Sequence, residues 1–430
     1  MNIKSLLQLA TETLKIRINS YEYKIDARQK PTDFSRKGII GFVNEILLSL
    51  NFCAKSIQVE IDGFFKAIGK PDITVTSSAY LQDRYKLKPE AFSILLDDTV
   101  KIAAGEHPLL KTYNGYRLFA TDGSILILED TLTLRAQFGV SGGEKGSEKG
   151  VASARLSTLT DVLNSGIIMD AQLTKYSVGE REAALCHHKK IEALGIADKS
   201  IIMYDRGYIS EEMIRDLNSK SIHYIFRLRR GWNKDIDALK INTDQIIEIK
   251  PKGIPLTVRV VKFQLDNGET ETLLIDPKLP QEIFTFTKVK EIYHYRWNIE
   301  SNYEVIKSGL QIESFTGTSS LFIKQDVFAT AVILNLTAFA KLESDEIVKT
   351  RTAQKKNKYD QQTNVNQLIA QMKDKLVCAL FTDDPEISEQ IINEIVHRAS
   401  NFTIPIRPGR SFPRKRKHRS RHSNSRKHVI

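Results

Sequence analysis

Between Tyr116 and Tyr204 the chain reads strand, strand, strand, helix, strand, and few folds accept that order. Tyr116-Arg-Leu-Phe-Ala-Thr-Asp122 is β-rich and ends in an acid, and Gly123-Ser-Ile-Leu-Ile-Leu128 follows it. Ala154 to Leu163 and Ile167 to Tyr176 read as two more strands around an Asn164-Ser-Gly166 turn. Glu180 to Leu194 has helical periodicity, and Lys199-Ser-Ile-Ile-Met-Tyr204 is a buried strand ending in Asp205-Arg206-Gly207-Tyr208. Ser210 then caps a helix to Lys220.

The order predicts an α/β (mixed α+β) fold on an RNase H-like core. In that architecture one acid sits on the first strand, a second just after the fourth, and a third on a later helix. Asp122, Asp205 and Glu300 occupy those places. The connection from Asp205 to Glu300 is far longer than one link needs. It contains strand-like runs at His223 to Arg229, Leu256 to Gln264 and Glu271 to Leu274, with an Asp266-Asn267-Gly268 turn. A β-rich insertion over 221–288 therefore interrupts the core.

Glu300 lies in a patterned stretch, Tyr293-x2-Arg296-x3-Glu300-x6-Lys307. On one continuous helix these four residues share a stripe about 60° wide. Ile292, Tyr295, Ile299, Tyr303, Ile306 and Leu310 take a separate, apolar stripe. The segment thus reads as a helix docked on a core, with one carboxylate, two cations and a phenol along the edge of its buried face.

The rest of the chain divides by texture. Residues 1–105 read as helical, with helical patterns at Gly38 to Leu50 and Lys55 to Ala67 and a break at Gly69-Lys-Pro-Asp72. Thr76 or Ser77 caps a helix through Leu87, and Pro89 opens one to Ala104. Helix, short turn, helix is a helix-turn-helix layout, equally a plain helical hairpin, and its second helix offers Arg84 and Lys86 for DNA. The core's first part spans 106–220 and its second, with the Glu300 helix, 289–345. Phe138 to Gly150 is a Gly-rich loop. A polar linker, Arg351 to Asn364, opens a helical region over 346–406. Val327 to Ala340 is apolar but interrupted by Thr330, Asn335 and Thr337, so it reads as a buried helix rather than a membrane span.

The net charge is +11, and it is unevenly placed. Residues 407–430 hold ten Lys/Arg and no acid, while the remainder carries 53 bases and 52 acids. The basicity therefore lies in a tail that cannot fold alone and binds polyanions by counterion release. Three scattered cysteines, Cys53, Cys186 and Cys378, form no zinc or disulfide pattern and fit a reducing cytoplasm. His187-His188 is adjacent rather than i,i+4, so one of the pair is expected at the surface or in a satisfied core.

Three carboxylates at the ends of apolar elements can hold two Mg²⁺ ions, with Mn²⁺ as the alternative. Two such ions serve in-line displacement at phosphodiesters. With these residues in place, the chain resembles the DDE transposases of bacterial insertion sequences. The likeness is to the cut-and-paste, hairpin-type group with a Y-x2-R-x3-E-x6-K signature, complete here. The group's Asp-Gly-Ser/Thr is met by Asp122-Gly123-Ser124 and its second-acid motif by Asp205-Arg206-Gly207-Tyr208. The resemblance covers about 30–345. It implies DNA cleavage at transposon ends and transfer into target DNA, with Asp122, Asp205 and Glu300 as metal ligands. It implies phosphate contacts from Tyr293, Arg296 and Lys307, a DNA role for Arg206, and base contacts from Trp232 and Trp297, Trp232 holding a flipped base. It also implies a homodimer in the synaptic complex. The rivals are an RNase H-like nuclease without strand transfer, and a catalytically inactive DNA-binding relative.

Overall fold

A computed structural model describes residues 4–36, 38–51, 55–142, 150–265 and 267–407. Cys53, Asp266, most of the Gly-rich loop and the tail beyond Arg407 lie outside the described residues. The chain forms two compact units, one of 1–109, 126–154 and 304–430, the other of 110–125 and 155–303.

The strands are β1 (Arg117–Ile127), β2 (Val140–Ser141), β3 (Val151–Asp161), β4 (Ile167–Lys175), β5 (Ser200–Tyr204), β6 (His223–Arg227), β7 (Thr243–Ile249), β8 (Leu256–Gln264) and β9 (Thr270–Ile275). Their order is β2-β3-β1-β5-β6-β9-β8-β7, with β4 also paired to β3. Within this lies the run β4-β3-β1-β5-β6 that an RNase H-like core requires. β5 runs parallel to both β1 and β6. It is buried along its whole length, as a strand covered on both faces must be, which accounts for its unbroken Ile-Ile-Met-Tyr run.

The turn between β3 and β4 is fixed locally. The Asp161 carboxylate accepts the N–H groups of Leu163 (3.0 Å) and Asn164 (3.2 Å). Ser165 (φ 55°) and Gly166 (φ 79°) then take the left-handed conformation that reverses the chain.

Two expectations change here. His223–Arg227 was assigned to the insertion but is the core's fifth strand, paired with β5. β9, β8 and β7 then add antiparallel strands to the free edge of β6, so the insertion extends the core sheet instead of standing apart. The reason is edge chemistry: an unpaired β6 would leave a row of amides and carbonyls without partners.

The first unit is mostly helical. Its long helix Ser320–Thr352 runs through the expected boundary at 345/346. By length and composition this helix could cross a membrane, yet it is largely buried within its unit. Asn335 donates to Thr99 Oγ1 at 2.9 Å, and Gln325 donates to the carbonyls of Arg84 (3.2 Å) and Leu87 (2.8 Å). Buried amide N–H groups that find protein acceptors belong in a packed core. The helices Ile57–Ala67 and Ser77–Arg84 form, the second ending short of the expected Leu87, with the Thr76 hydroxyl accepting from Ala79 N–H (3.2 Å).

Candidate functional site

All three acids lie in the second unit. Arg117 to Ala120 of β1 stand opposite Ser200 to Met203 of β5. Asp122 lies two residues past Ala120 and Asp205 two past Met203, the last pair of that register. Neighbouring strands run about 4.8 Å apart, so the two acids leave adjacent strands at the same count beyond their paired stretch. Asp122 was expected at a strand end; instead β1 continues past it to Ile127. Burial pushes the Asp122 carboxyl up to about 6. A hydrogen bond from Gly123 N–H (2.8 Å) and the field of Arg296 oppose that rise, whereas Glu180 and Glu300 add to it.

Asp205 Oδ1 is buried and accepts no hydrogen bond among the described residues. Arg227 of β6 places its Nη1 4.0 Å from that oxygen. Arg227 is engaged by Glu271 of β9 at 2.8 Å, so the added strands supply part of the charge around Asp205. Neither Arg227 nor Glu271 carried a sequence signal, because their closeness to Asp205 depends on the order of the strands.

Glu300 is a third exposed, and its Oε1 lies 3.6 Å from Arg296 Nη2. Arg296 is almost wholly buried at 3% exposure, and its Nε has no hydrogen-bond partner among the described residues. Burial alone would lower its pKa, but the fields of Tyr293, Asp205, Asp122 and Glu300 together raise it. The guanidinium is thus the shared counter-charge of the three acids.

The segment around Glu300 is not the single α-helix expected. Phe286–His294 is α-helical, Tyr295–Trp297 a 3₁₀ turn, Asn298–Glu304 α-helical and Val305–Gly309 a π turn. Tertiary hydrogen bonds impose the changes of winding. Asn298 Nδ2 donates to Val162 C=O (3.0 Å), Asn302 Nδ2 to Gly166 C=O (2.9 Å) and the Tyr303 hydroxyl to Asp122 C=O (2.7 Å). A Cβ on Gly166 would lie 2.8 Å from Asn302 Oδ1, so glycine is needed there. These bonds tie the Glu300 helix to β1 and to the β3–β4 turn. Tyr303 appeared in the sequence only as a core residue. Tyr295, expected in the apolar stripe, is 40% exposed because the 3₁₀ turn rotates it outward.

The other expected residues are spread more widely. Tyr293, expected on a phosphate, is buried, and its hydroxyl donates to Tyr204 C=O at 3.1 Å, directly before Asp205. Arg206 is exposed, Trp297 is 43% exposed and Trp232 is half-buried in the turn after β6. Lys307 belongs to the first unit, where its Nζ lies 3.5 Å from Glu313. In that unit Lys86 pairs with Asp83. Arg84, expected on DNA, is fully buried between Asp326 (2.7 Å) and Thr316. Its helix faces its charge inward, where Asp326 awaits it. Both members of His187-His188 are buried, since each side of their helix has partners. His187 meets Asp170 (2.6 Å) and Ser157 (3.0 Å), and His188 meets Asp216 (2.6 Å) and Tyr204.

The donors fit a hard divalent cation in chemistry: carboxylate oxygens, one of them buried without a hydrogen bond, and no competing thiol or imidazole beside them. Among the described residues no three Asp, Glu, His or Cys side chains stand close enough to close a cage round one ion.

Comparison with known proteins agrees with this geometry. The family described as the transposase DDE domain matches residues 114–336, just over half of the chain, a span that contains Asp122, Asp205 and Glu300. A protein named "Putative transposase InsZ" from Escherichia coli (strain K12) is 26% identical over 181 residues. That match covers 42% of this chain and 56% of the relative's length, so the chain spans little more than half of that protein. A cryo-EM structure of the piggyBac transposase synaptic complex with hairpin DNA aligns over 92% of this chain and 86% of its own. Its identity is 8% and its TM-score 0.48, too low a similarity to identify a fold. A family match over more than half of its length means that the chain belongs to the transposase DDE domain family.

Proposed function

We propose that this protein is a transposase that cuts DNA at the ends of a mobile element and joins those ends to target DNA. Asp122, Asp205 and Glu300 would hold two Mg²⁺ ions, with Mn²⁺ as a substitute. The observation that supports the reading is that Asp122 and Asp205 follow the paired stretch of the parallel strands β1 and β5 at the same count, with Glu300 sharing their counter-charge at Arg296. Bound divalent cations supply Lewis acidity at phosphodiester oxygens. The chain's own residues do the rest. Arg296 keeps three like charges from repelling one another apart, and Tyr293 and Tyr303 brace the backbone on either side of the acids. Arg206 and Trp297 offer an exposed cation and an aromatic face beside the acids, suited to phosphate and base. The DNA partners, a homodimer at synapsis and a cytoplasmic setting belong to the same proposal.

The test is incubation of flanking-end DNA with the protein and Mg²⁺, with products resolved on a denaturing gel. Glu300→Gln should lose more than about a hundredfold in cleavage, beyond the loss typical for a residue merely supporting a ligand. Binding to the same DNA, read by mobility shift, should change little. Cleavage retained by Glu300→Gln would remove Glu300 from the site. Cleavage without joined products would favour a nuclease over a transposase.

A further inference from the structure

Glu180 opens the helix Glu180–Ala193 and, in sequence, looks like an ordinary first-turn acid at a helix N-terminus. Its side chain is held somewhere more specific. A Cβ on Gly123 would meet Glu180 Oε1 at 3.1 Å and Cγ at 3.2 Å, and a Cβ on Gly207 would lie 3.9 Å from Oε2. Gly123 follows Asp122, and Gly207 lies two residues beyond Asp205. Gly123 therefore leaves the space that the Glu180 carboxylate enters, while Gly207 stands at ordinary contact distance from it. Arg181 Nε donates to Gly207 C=O (3.0 Å), docking the first turn of the helix there. Arg155 of β3 bonds Glu180 Oε1 and orients it. The Glu180 side chain remains 36% exposed, open to an ion from solvent.

We infer that Glu180 is a fourth carboxylate of the metal site, bearing on the cation that Asp122 holds. The inference rests on the reading of Asp122, Asp205 and Glu300 as ligands. A carboxylate beside a ligand adds negative field where the cation binds, and Arg155 fixes its direction, as supporting groups commonly do around metal ligands. A helix N-terminus would hold a glutamate anywhere along its first turn; it gives no reason for a carboxylate packed onto Gly123, next to Asp122.

The test is Mn²⁺ binding to the full-length protein without DNA, followed by calorimetry and by the electron paramagnetic resonance signal of free Mn²⁺. Glu180→Gln, close in shape, should weaken binding about tenfold. Arg155→Met, which removes the ion pair and keeps the carboxylate, should weaken it less. Asp122→Asn is the reference and should weaken it more than either. Unchanged binding in Glu180→Gln with loss in Asp122→Asn would overturn this inference and leave the ligand reading standing. Unchanged binding in both would overturn the ligand reading as well. Equal losses in Glu180→Gln and Arg155→Met would make the pair a brace and overturn the role of the charge. Should the Gln variant not fold, Glu180→Asp, which withdraws the carboxylate by one carbon, is read the same way, and unchanged affinity would count against the inference.

Discussion

Arg84 and Arg296 are both buried arginines, and their surroundings assign them opposite work. Arg84 faces Asp326 and Thr316 in a helical unit, with no other acid of the candidate site near it in the chain. Removing one partner of a buried pair strands the other charge, which costs about 3 to 5 kcal/mol. Arg84→Met should therefore lower the urea midpoint by the equivalent of about 3 kcal/mol. DNA affinity of the folded fraction should hold. An unchanged midpoint with weakened DNA binding would return Arg84 to the DNA surface. Arg296 instead faces three acids whose charges it offsets, and no single one of them accounts for its burial.

At the scale of the element, the segment from Phe286 to Gly309 changes winding three times where the pattern of its residues fits one helix. Local propensity is a matter of tenths of a kcal/mol per residue, whereas each buried hydrogen bond contributes about 1 kcal/mol. The bonds of Asn298, Asn302 and Tyr303 to the strands outweigh a regular wind. Tyr293 belongs to the same logic, because its hydroxyl braces the carbonyl before Asp205. Tyr293→Phe should cost about 1 kcal/mol of stability in a thermal melt. Its effect on the affinity for end DNA should be slight. A large loss of affinity with an unchanged melt would mean that the hydroxyl leaves Tyr204 to contact a phosphate.

At the scale of the whole molecule, buried titratable groups tie stability to pH. Burial pulls the His188 imidazole down to about 4, although Asp216 opposes the shift; His187 and Lys220 reinforce it, and Tyr204 closes the other side. A depressed histidine is neutral in the fold, so below about pH 6.5 the unfolded chain takes up a proton that the folded one refuses. Stability from this group is complete above pH 6.5 and is lost as pH falls toward 4. Asp122 and Asp161, both raised to about 6 by burial, contribute with the opposite sign. The prediction is therefore a difference: the stability gap between the parent and His188→Gln should narrow by about 2 kcal/mol between pH 7.5 and pH 5. Urea titrations at the two pH values measure it, and a gap that does not narrow would mean His188 is charged in the fold.

Much of this was legible in the residues. The order of strands and helix, the capping residues Thr76 and Ser210 and the Asn164-Ser-Gly166 turn all follow from periodicity and motif, because those are properties of neighbouring residues. The inward turn of Arg84, the broken winding around Glu300, the burial of Tyr293 and the place of His223–Arg227 in the core sheet do not. Each depends on a partner far along the chain: Asp326, Asp122 C=O, Tyr204 C=O and β5. Glu180 is the clearest case. As one residue it is an acid at a helix start, and only folding lays it against Gly123 and Gly207. The sequence by itself determined which chemistry the chain could carry. The tertiary structure decided which charges face one another, because Coulomb and hydrogen-bond energies depend on separation in space, which separation along the chain does not specify.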